Sequence, residues 1–387
     1  MRIALWSNTY WPHVGGVEVL IRHFGEALVE RGHELLVLVN QDDPTHPRRE
    51  SFGAIEVARI PFEDAINQRD PEAFLTARSE VDQVRAAFRP DVEHMYHGMG
   101  GEISFFAMTA GRRPGTYVTS LHLSYDDTRV AAQGTLHRVL GQSASITTCS
   151  EAVRADLVRQ LPDLADKTFA IANSLPWPAV EPAPLPFDPP TLFTAGRFTD
   201  QKGFDVAIEA LARLSAPPRL VIAGSGTNEG ALREQVARRG LDDIVSFPGW
   251  VAPDDIPRWM SRATAVLMPS RWEPFGLVAL QAAQVGRPVI ASRVDGLLEV
   301  VVDGETGLLV PPGDPGALSE AIATLIRDPR RASAIGQRAE RHAREAFPWD
   351  RHVDAYERLL RRAAVANARL GDVPRSASTS RPGRARH

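Results

Sequence analysis

Residues 176–190, PWPAVEPAPLPFDPP, hold seven prolines in fifteen positions. Proline fixes φ and carries no backbone N–H, so this segment can be neither helix nor central strand. It reads as a stiff, extended linker. The fold must therefore be assembled from two blocks, residues 1–175 and residues 191–348, with the linker between them.

Each block alternates strand and helix. In the first, residues 2–8 read as a strand, 10–16 as a loop, and 17–31 as a helix with Leu20, Phe24, Ala27 and Leu28 at helical spacing and Gly32 as its stop. Further strands are expected over 34–39, 55–60, 92–97, 116–122, 145–150 and 169–173, with helices over 71–88 and 151–161. The second block repeats the pattern, with strands over 192–196, 219–224, 244–247, 265–270 and 288–292. Its helices are expected over 204–214, 229–239 and from about Leu277 to near Gly286. Such alternation gives an α/β fold of doubly wound parallel sheets. Two such domains on a proline linker face each other across a cleft, the usual place for a ligand. A helix over 349–369 follows, and the tail 370–387 has no apolar pattern and reads as disordered.

Composition narrows the function. The 387 residues are 43% hydrophobic and 24% charged, ordinary for a soluble enzyme of two domains. Residues 1–175 carry 17 Lys and Arg against 23 Asp and Glu, a net of −6 within a chain total of −4. So acidic a body disfavours nucleic acid and stable association with an anionic membrane. No apolar run approaches the roughly 18 residues that span a bilayer. The N-terminus lacks a signal peptide's apolar region, and the single cysteine, Cys149, fits a reducing cytoplasm, so a cytoplasmic protein is expected.

Chemistry concentrates at strand ends. Residues 265–287, AVLMPSRWEPFGLVALQAAQVGR, run strand, polar loop, helix. Free amides at the helix start and the helix dipole make an anion site there. Glu273 stands just outside the helix, while Phe275, Gly276 and Leu277 lead into it. Gln281, four residues after Leu277, lies on the same face one turn along. A carboxylate beside free amides suits a phosphorylated, hydroxyl-rich ligand such as a nucleotide sugar; an ordinary crossover with an exposed loop is the other reading. Only 2 of the 44 basic residues are lysine, Lys167 and Lys202. In RFTDQKG, residues 197–203, Arg197 and Lys202 follow a strand and precede a helix, where two cations meet phosphate in open α/β sheets. Two solvated surface cations are the alternative. Gly15 and Gly16 precede the first helix, and Gly224 and Gly226 follow the strand residues 219–223, both consistent with close backbone approach to a ligand. His122 ends a strand at the cleft.

Other chemistries lack their signatures. There is no G-x-G-x-x-G, no phosphate loop with Lys-Ser/Thr, and no G-x-S-x-G elbow, so NAD is not expected. His94 and His97 have no further spaced ligands for zinc, and Asp126 and Asp127 read as loop charges. Cys149 reads as packing.

In this order the pieces resemble the retaining GT-B glycosyltransferases of glycosyltransferase family 4, over about residues 1–369. The likeness rests on Gly15, Gly16 and Glu18, on Asn173, on AGR 195–197 with Lys202 and Gly203, on AGSG 223–226, and above all on RWEPFGL 271–277. PVIAS 288–292 and DGETGL 303–308 add to it. The resemblance implies a GT-B fold with two Rossmann-like domains, acceptor on the first, donor mainly on the second, and a C-terminal helix crossing back to the first. It further implies that Arg197 and Lys202 hold the donor diphosphate, assisted by the Gly16 amide. Glu273 would hydrogen-bond a donor-sugar hydroxyl, and the amides of 275–277 would cradle sugar and phosphate. Position 281 would face the ribose, Val251 and its loop the base, and His122 the reacting face of the sugar.

Two positions depart from the family. Gln281 stands where the family has its second glutamate, and glutamine offers one accepting oxygen where glutamate offers two. Asn173-Ser174 replaces an Asn-Gly turn. The expected function is retaining transfer of a hexosyl unit from a nucleotide diphosphate sugar, UDP favoured over GDP, to a hydroxyl of a soluble glycan or small polar metabolite. No metal and no cofactor are expected. A nucleotide-sugar epimerase or hydrolase, or a non-catalytic nucleotide-sugar-binding protein, are the alternatives.

Overall fold

The computed structural model describes residues 1–11, 15–97, 102–109, 114–123 and 134–371. Eight strands form the first sheet: β1 (Arg2–Trp6), β2 (Glu34–Asn40), β3 (Arg49–Phe52), β4 (Ile55–Ile60), β5 (Val92–His97), β6 (Tyr117–Leu121), β7 (Ser145–Thr148) and β8 (Thr168–Ala170). Six form the second: β9 (Thr191–Ala195), β10 (Arg219–Ala223), β11 (Val245–Gly249), β12 (Ala265–Met268), β13 (Val289–Ser292) and β14 (Gly307–Val310). Their orders are β3-β4-β2-β1-β5-β6-β7-β8 and β11-β10-β9-β12-β13-β14. All pairings are parallel except β3 on β4.

The near-continuous apolar runs of β1, β2, β12 and β13 suit sheets covered on both faces. Each sheet has that cover. The first separates a core around Phe24, Val37 and Val118 from one around Trp6, Phe105 and Phe106. The second separates a core around Phe193, Phe275 and Leu280 from one around Phe198, Leu220 and Ile322. Strand order reverses between β1 and β5 and again between β9 and β12. Those are the switch points where crevices open beyond the carboxyl ends of strands.

Most expected elements occur, often shorter by a residue or two. The helix Pro71–Phe88 has the expected bounds because its ends are signalled locally. Asp70 accepts from the Glu72 and Ala73 amides, Pro71 opens the first turn, and Arg89 closes the helix in the left-handed region at φ 50°. The stretch 169–173 is a regular strand only over Thr168–Ala170, although Ile171 N and Asn173 N go on donating to the Thr148 and Cys149 carbonyls beyond it. Several elements lie outside the stated expectation: in the first domain β3 and the helices Phe62–Asn67, Glu102–Met108 and Thr135–Gln142, and in the second β14 and the helices Ile256–Ser261, Leu297–Val300, Pro315–Arg327 and Pro329–Ala346. β3, RESF, has almost no apolar content and exists because the turn at Gly53 (φ 59°) folds it back on β4.

The proline segment is extended but not free. Ala183 N donates to Ser261 O at 3.1 Å, and the Arg287 guanidinium donates to the carbonyls of Ala183 and Ser261. The helix Trp349–Gly371 crosses back onto the first domain. Its Val353, Tyr356, Leu360 and Ala363 complete the core that contains Phe24 and Val118. The expected tail beyond residue 371 and the loop carrying Asp126 and Asp127 lie outside the described residues.

Candidate active site

The loops that follow β9 and β12, the pair flanking the second switch point, converge. Lys202 Nζ lies 2.6 Å from Glu273 Oε2, with Glu273 nearly buried. Ser270 Oγ donates to the same oxygen at 3.3 Å. The junction is strapped from both sides. Arg271 makes a two-pronged pair with Asp205 at 2.9 and 2.8 Å and donates to Asp200 O at 2.7 Å, while Gln201 Nε2 donates to Trp272 O at 3.2 Å. Burial works against the Asp205 carboxylate, but the Arg271 hydrogen bonds hold its pKa below the ordinary value. Gly203 permits the approach, at φ 63°, because a Cβ there would meet Pro269 O at 2.0 Å.

A third loop supports Glu273 from below. Asp295 Oδ2 accepts from Glu273 N at 3.2 Å, and Gly296 N donates to Glu273 O at 3.0 Å. Gly276, at φ 99°, caps the helix Leu277–Gln284 with no side-chain hydrogen bond, so the first amides of that helix are left to a ligand or water. Phe275 turns its ring into the core, edge-on to Phe347 at 5.7 Å, leaving its backbone at the helix mouth.

The first domain brings its own glycine-started helix, Gly16–Glu30, to the same place. A Cβ at Gly16 would stand 3.1 Å from Leu277 Cδ1, so the two helix mouths face one another across the domains. The Glu18 carboxylate, hydrogen-bonded by Thr9 Oγ1, sits beside Gly15 at this helix start. Arg59, buried, donates to Trp11 O.

The remaining expected residues are distributed as follows. Arg197 is exposed and makes no ion pair among the described residues, while Gly196 beside it packs on the Lys202 side chain. His122 is buried at the end of β6, its ring stacked on Tyr96 with centroids 5.3 Å apart. Gln281 is half-buried on the Leu277–Gln284 helix, and Val251 packs beside the core behind it. Gly224 and Gly226 stand against the backbone of the loop after β9. A Cβ at Gly224 would meet Gly196 O at 2.0 Å, and one at Gly226 would meet Phe198 N and O at 2.6 Å. Their close approach is to the neighbouring protein backbone. Cys149 is buried, its thiol pushed up to about 12 by desolvation, which fits packing. Sequence reading missed Asp205, Asp295 and Ser270. Asp205 and Asp295 act on a loop distant in sequence, while Ser270, three residues before Glu273, lies in an otherwise ordinary strand-end position.

Among the described residues no three His, Cys, Asp or Glu side chains are placed to hold a metal, and no helix is long and apolar enough to cross a membrane. Two Rossmann-like sheets with helix mouths facing one another between them define the GT-B class of sugar-transferring enzymes. The comparisons agree. Residues 14–175 match Glycosyltransferase Family 4 and residues 180–342 match Glycosyl transferases group 1. Over 390 residues the chain is 30% identical to glycogen synthase of Mycobacterium tuberculosis, covering 90% of this chain and 92% of that one. Over 406 residues it is 30% identical to D-inositol 3-phosphate glycosyltransferase of Acidothermus cellulolyticus, covering 94% and 89%. In structure it is similar to sucrose-phosphate synthase of Thermosynechococcus elongatus, with TM-score 0.80, 24% identity and coverage of 94% and 99%. HepE of Anabaena, solved in complex with UDP and glucose, aligns with TM-score 0.74, 22% identity and coverage of 93% and 99%. The chain belongs to the GT-B glycosyltransferases of family 4.

Proposed function

We propose that this glycosyltransferase moves a hexosyl unit from a nucleotide diphosphate sugar, a UDP-sugar in preference to a GDP-sugar, to a hydroxyl of a soluble glycan or small polar metabolite, with retention at the anomeric carbon. The observation that carries the reading is the Lys202–Glu273 pair, 2.6 Å apart at a switch point and beside an uncapped helix mouth. An ammonium and a carboxylate side by side offer one group for phosphate and one for a sugar hydroxyl. The preference for UDP draws support from HepE, whose structures contain UDP and UDP-glucose.

In this scheme Lys202 and Arg197 hold the diphosphate, and the amides of Gly16 and of residues 275–277 stabilise the charge that grows on it as the bond from anomeric carbon to phosphate oxygen breaks. The acceptor oxygen bonds to the anomeric carbon on the face being vacated. Its proton passes to an oxygen of the departing nucleoside diphosphate, which balances charge without a protein base. Glu273 orients the sugar, His122 borders its reacting face, Gln281 reaches the ribose and Val251 borders the base. No metal enters the scheme.

Lys202→Ala and Glu273→Ala are each expected to cut transfer by at least about 10³-fold with an unchanged circular dichroism spectrum. Full activity in both sinks the proposal. Gln281 favours a second reading, a protein that binds nucleotide sugars without turning them over. Tight donor binding with no product across many acceptors supports that reading, particularly if Gln281→Glu then restores turnover.

A further inference from the structure

The domains also touch away from the diphosphate-holding groups. Glu299, on the short helix Leu297–Val300 of the second domain, reaches the first domain's helix Glu151–Gln160. Its two carboxylate oxygens accept from the backbone amides of Glu151 at 3.1 Å and Ala152 at 2.9 Å. Ser150 Oγ accepts from the next amide, Val153 N, at 3.1 Å. The first three amides of that helix are thus satisfied, two of them only because the other domain supplies an anion. One residue upstream, Cys149 Sγ lies 3.7 Å from Pro274 O, inside the loop that carries Glu273.

Glu299 is also tied to that loop through its own chain. Four residues before it, Asp295 accepts from Glu273 N, and Gly296 donates to Glu273 O. Leu297 packs where a Cβ on Gly276 would stand, 2.6 Å from its Cδ2. Residues 273–276 and 295–299 therefore form one unit, with the Lys202-paired carboxylate at one end and the interdomain carboxylate at the other.

We infer that Glu299 is a positioning residue, the latch that sets the donor loop in register with the first domain by docking on the start of the helix Glu151–Gln160. Its bearing on the donor loop rests on the donor-site reading above; its bearing on the domain contact does not. A charge-assisted pair of hydrogen bonds exists only while the lobes meet, so it stabilises the joined arrangement over a separated one. An interdomain ion pair, Arg22 with Asp254 at 3.4 Å, is exposed and contributes little.

The test uses the full-length chain as Glu299→Ala and Glu299→Gln, with UDP as the probe. In Glu299→Ala, amide exchange at residues 151–152 is expected to speed up roughly tenfold, and the radius of gyration from solution scattering to rise, with and without UDP. Glu299→Gln, keeping one accepting oxygen, should fall between. UDP should still raise the melting temperature of both variants, since no diphosphate-holding group is altered. Unchanged scattering and exchange overturn the latch. So does faster exchange with unchanged scattering, which leaves only a local helix cap. If UDP fails to stabilise even the unaltered protein, the donor reading falls, while the scattering comparison without nucleotide still decides the latch. Should Glu299→Ala not fold, Glu299→Gln carries the same comparison.

Discussion

Asp295 shows what a single residue can cost and return. It has φ 37°, in the left-handed region that a Cβ disfavours. The return is its carboxylate on the Glu273 amide. Asp295→Gly should therefore hold or slightly raise the melting temperature while slowing transfer about tenfold through the lost hydrogen bond. Asp295→Asn, which keeps an accepting oxygen, should stay near the parent rate. A parallel fall of stability and rate in Asp295→Gly would count against this account. Gly226 makes the opposite case. Because its Cβ space is filled by the Phe198 backbone, Gly226→Ala should lose more than about 1 kcal/mol of stability whether or not UDP is present, measured by chemical denaturation. The composition of AGSG shows that something comes close, but not whether that something is ligand or chain.

At the scale of elements, the returning helix Trp349–Gly371 carries the pH dependence. His352 is fully buried with Nδ1 2.9 Å from Ala172 O, and burial lowers its pKa from 6.5 to about 4. The unfolded chain takes up that proton first, so this contribution is complete above about pH 6.5 and is lost as pH falls toward about 4. Glu357 acts lower. Burial raises its pKa, but hydrogen bonds from Arg31, Arg361 and His33 prevail and hold it at about 2. Its contribution is present above its ordinary 4.5 and drains as pH drops through about 2. His352→Gln, which can still donate to Ala172 O, should narrow the drop in melting temperature between about pH 7 and pH 4 by removing up to about 3 kcal/mol of proton linkage. An equal drop in both proteins would remove His352 from the explanation. Helices of this kind were legible where caps announce them, as at Asp70. β3 was not legible, since a short polar strand is defined by its partner rather than its own pattern.

For the whole molecule, the two-block plan was readable because proline density and strand–helix alternation are properties of the chain itself. Lys202 and Glu273 could be singled out for the same reason, each following an apolar strand. Their 2.6 Å meeting, and the straps from Asp205, Arg271 and Asp295, join positions 66 or 71 apart in sequence in one case and a separate loop in the other. Spacing along a sequence does not encode such encounters.

The returning helix also decides how this polypeptide can be divided. Val353, Tyr356 and Leu360 are buried to the last few per cent against strands that precede them by some 200 to 350 positions. Residues 1–175 made on their own would expose that apolar seam to water and should be recovered as aggregate, whereas supplying 349–371 as a separate peptide should return them to solution. The helix at 349–371 is thus a missing wall of the opening block, which cannot be borrowed for a chimera without it.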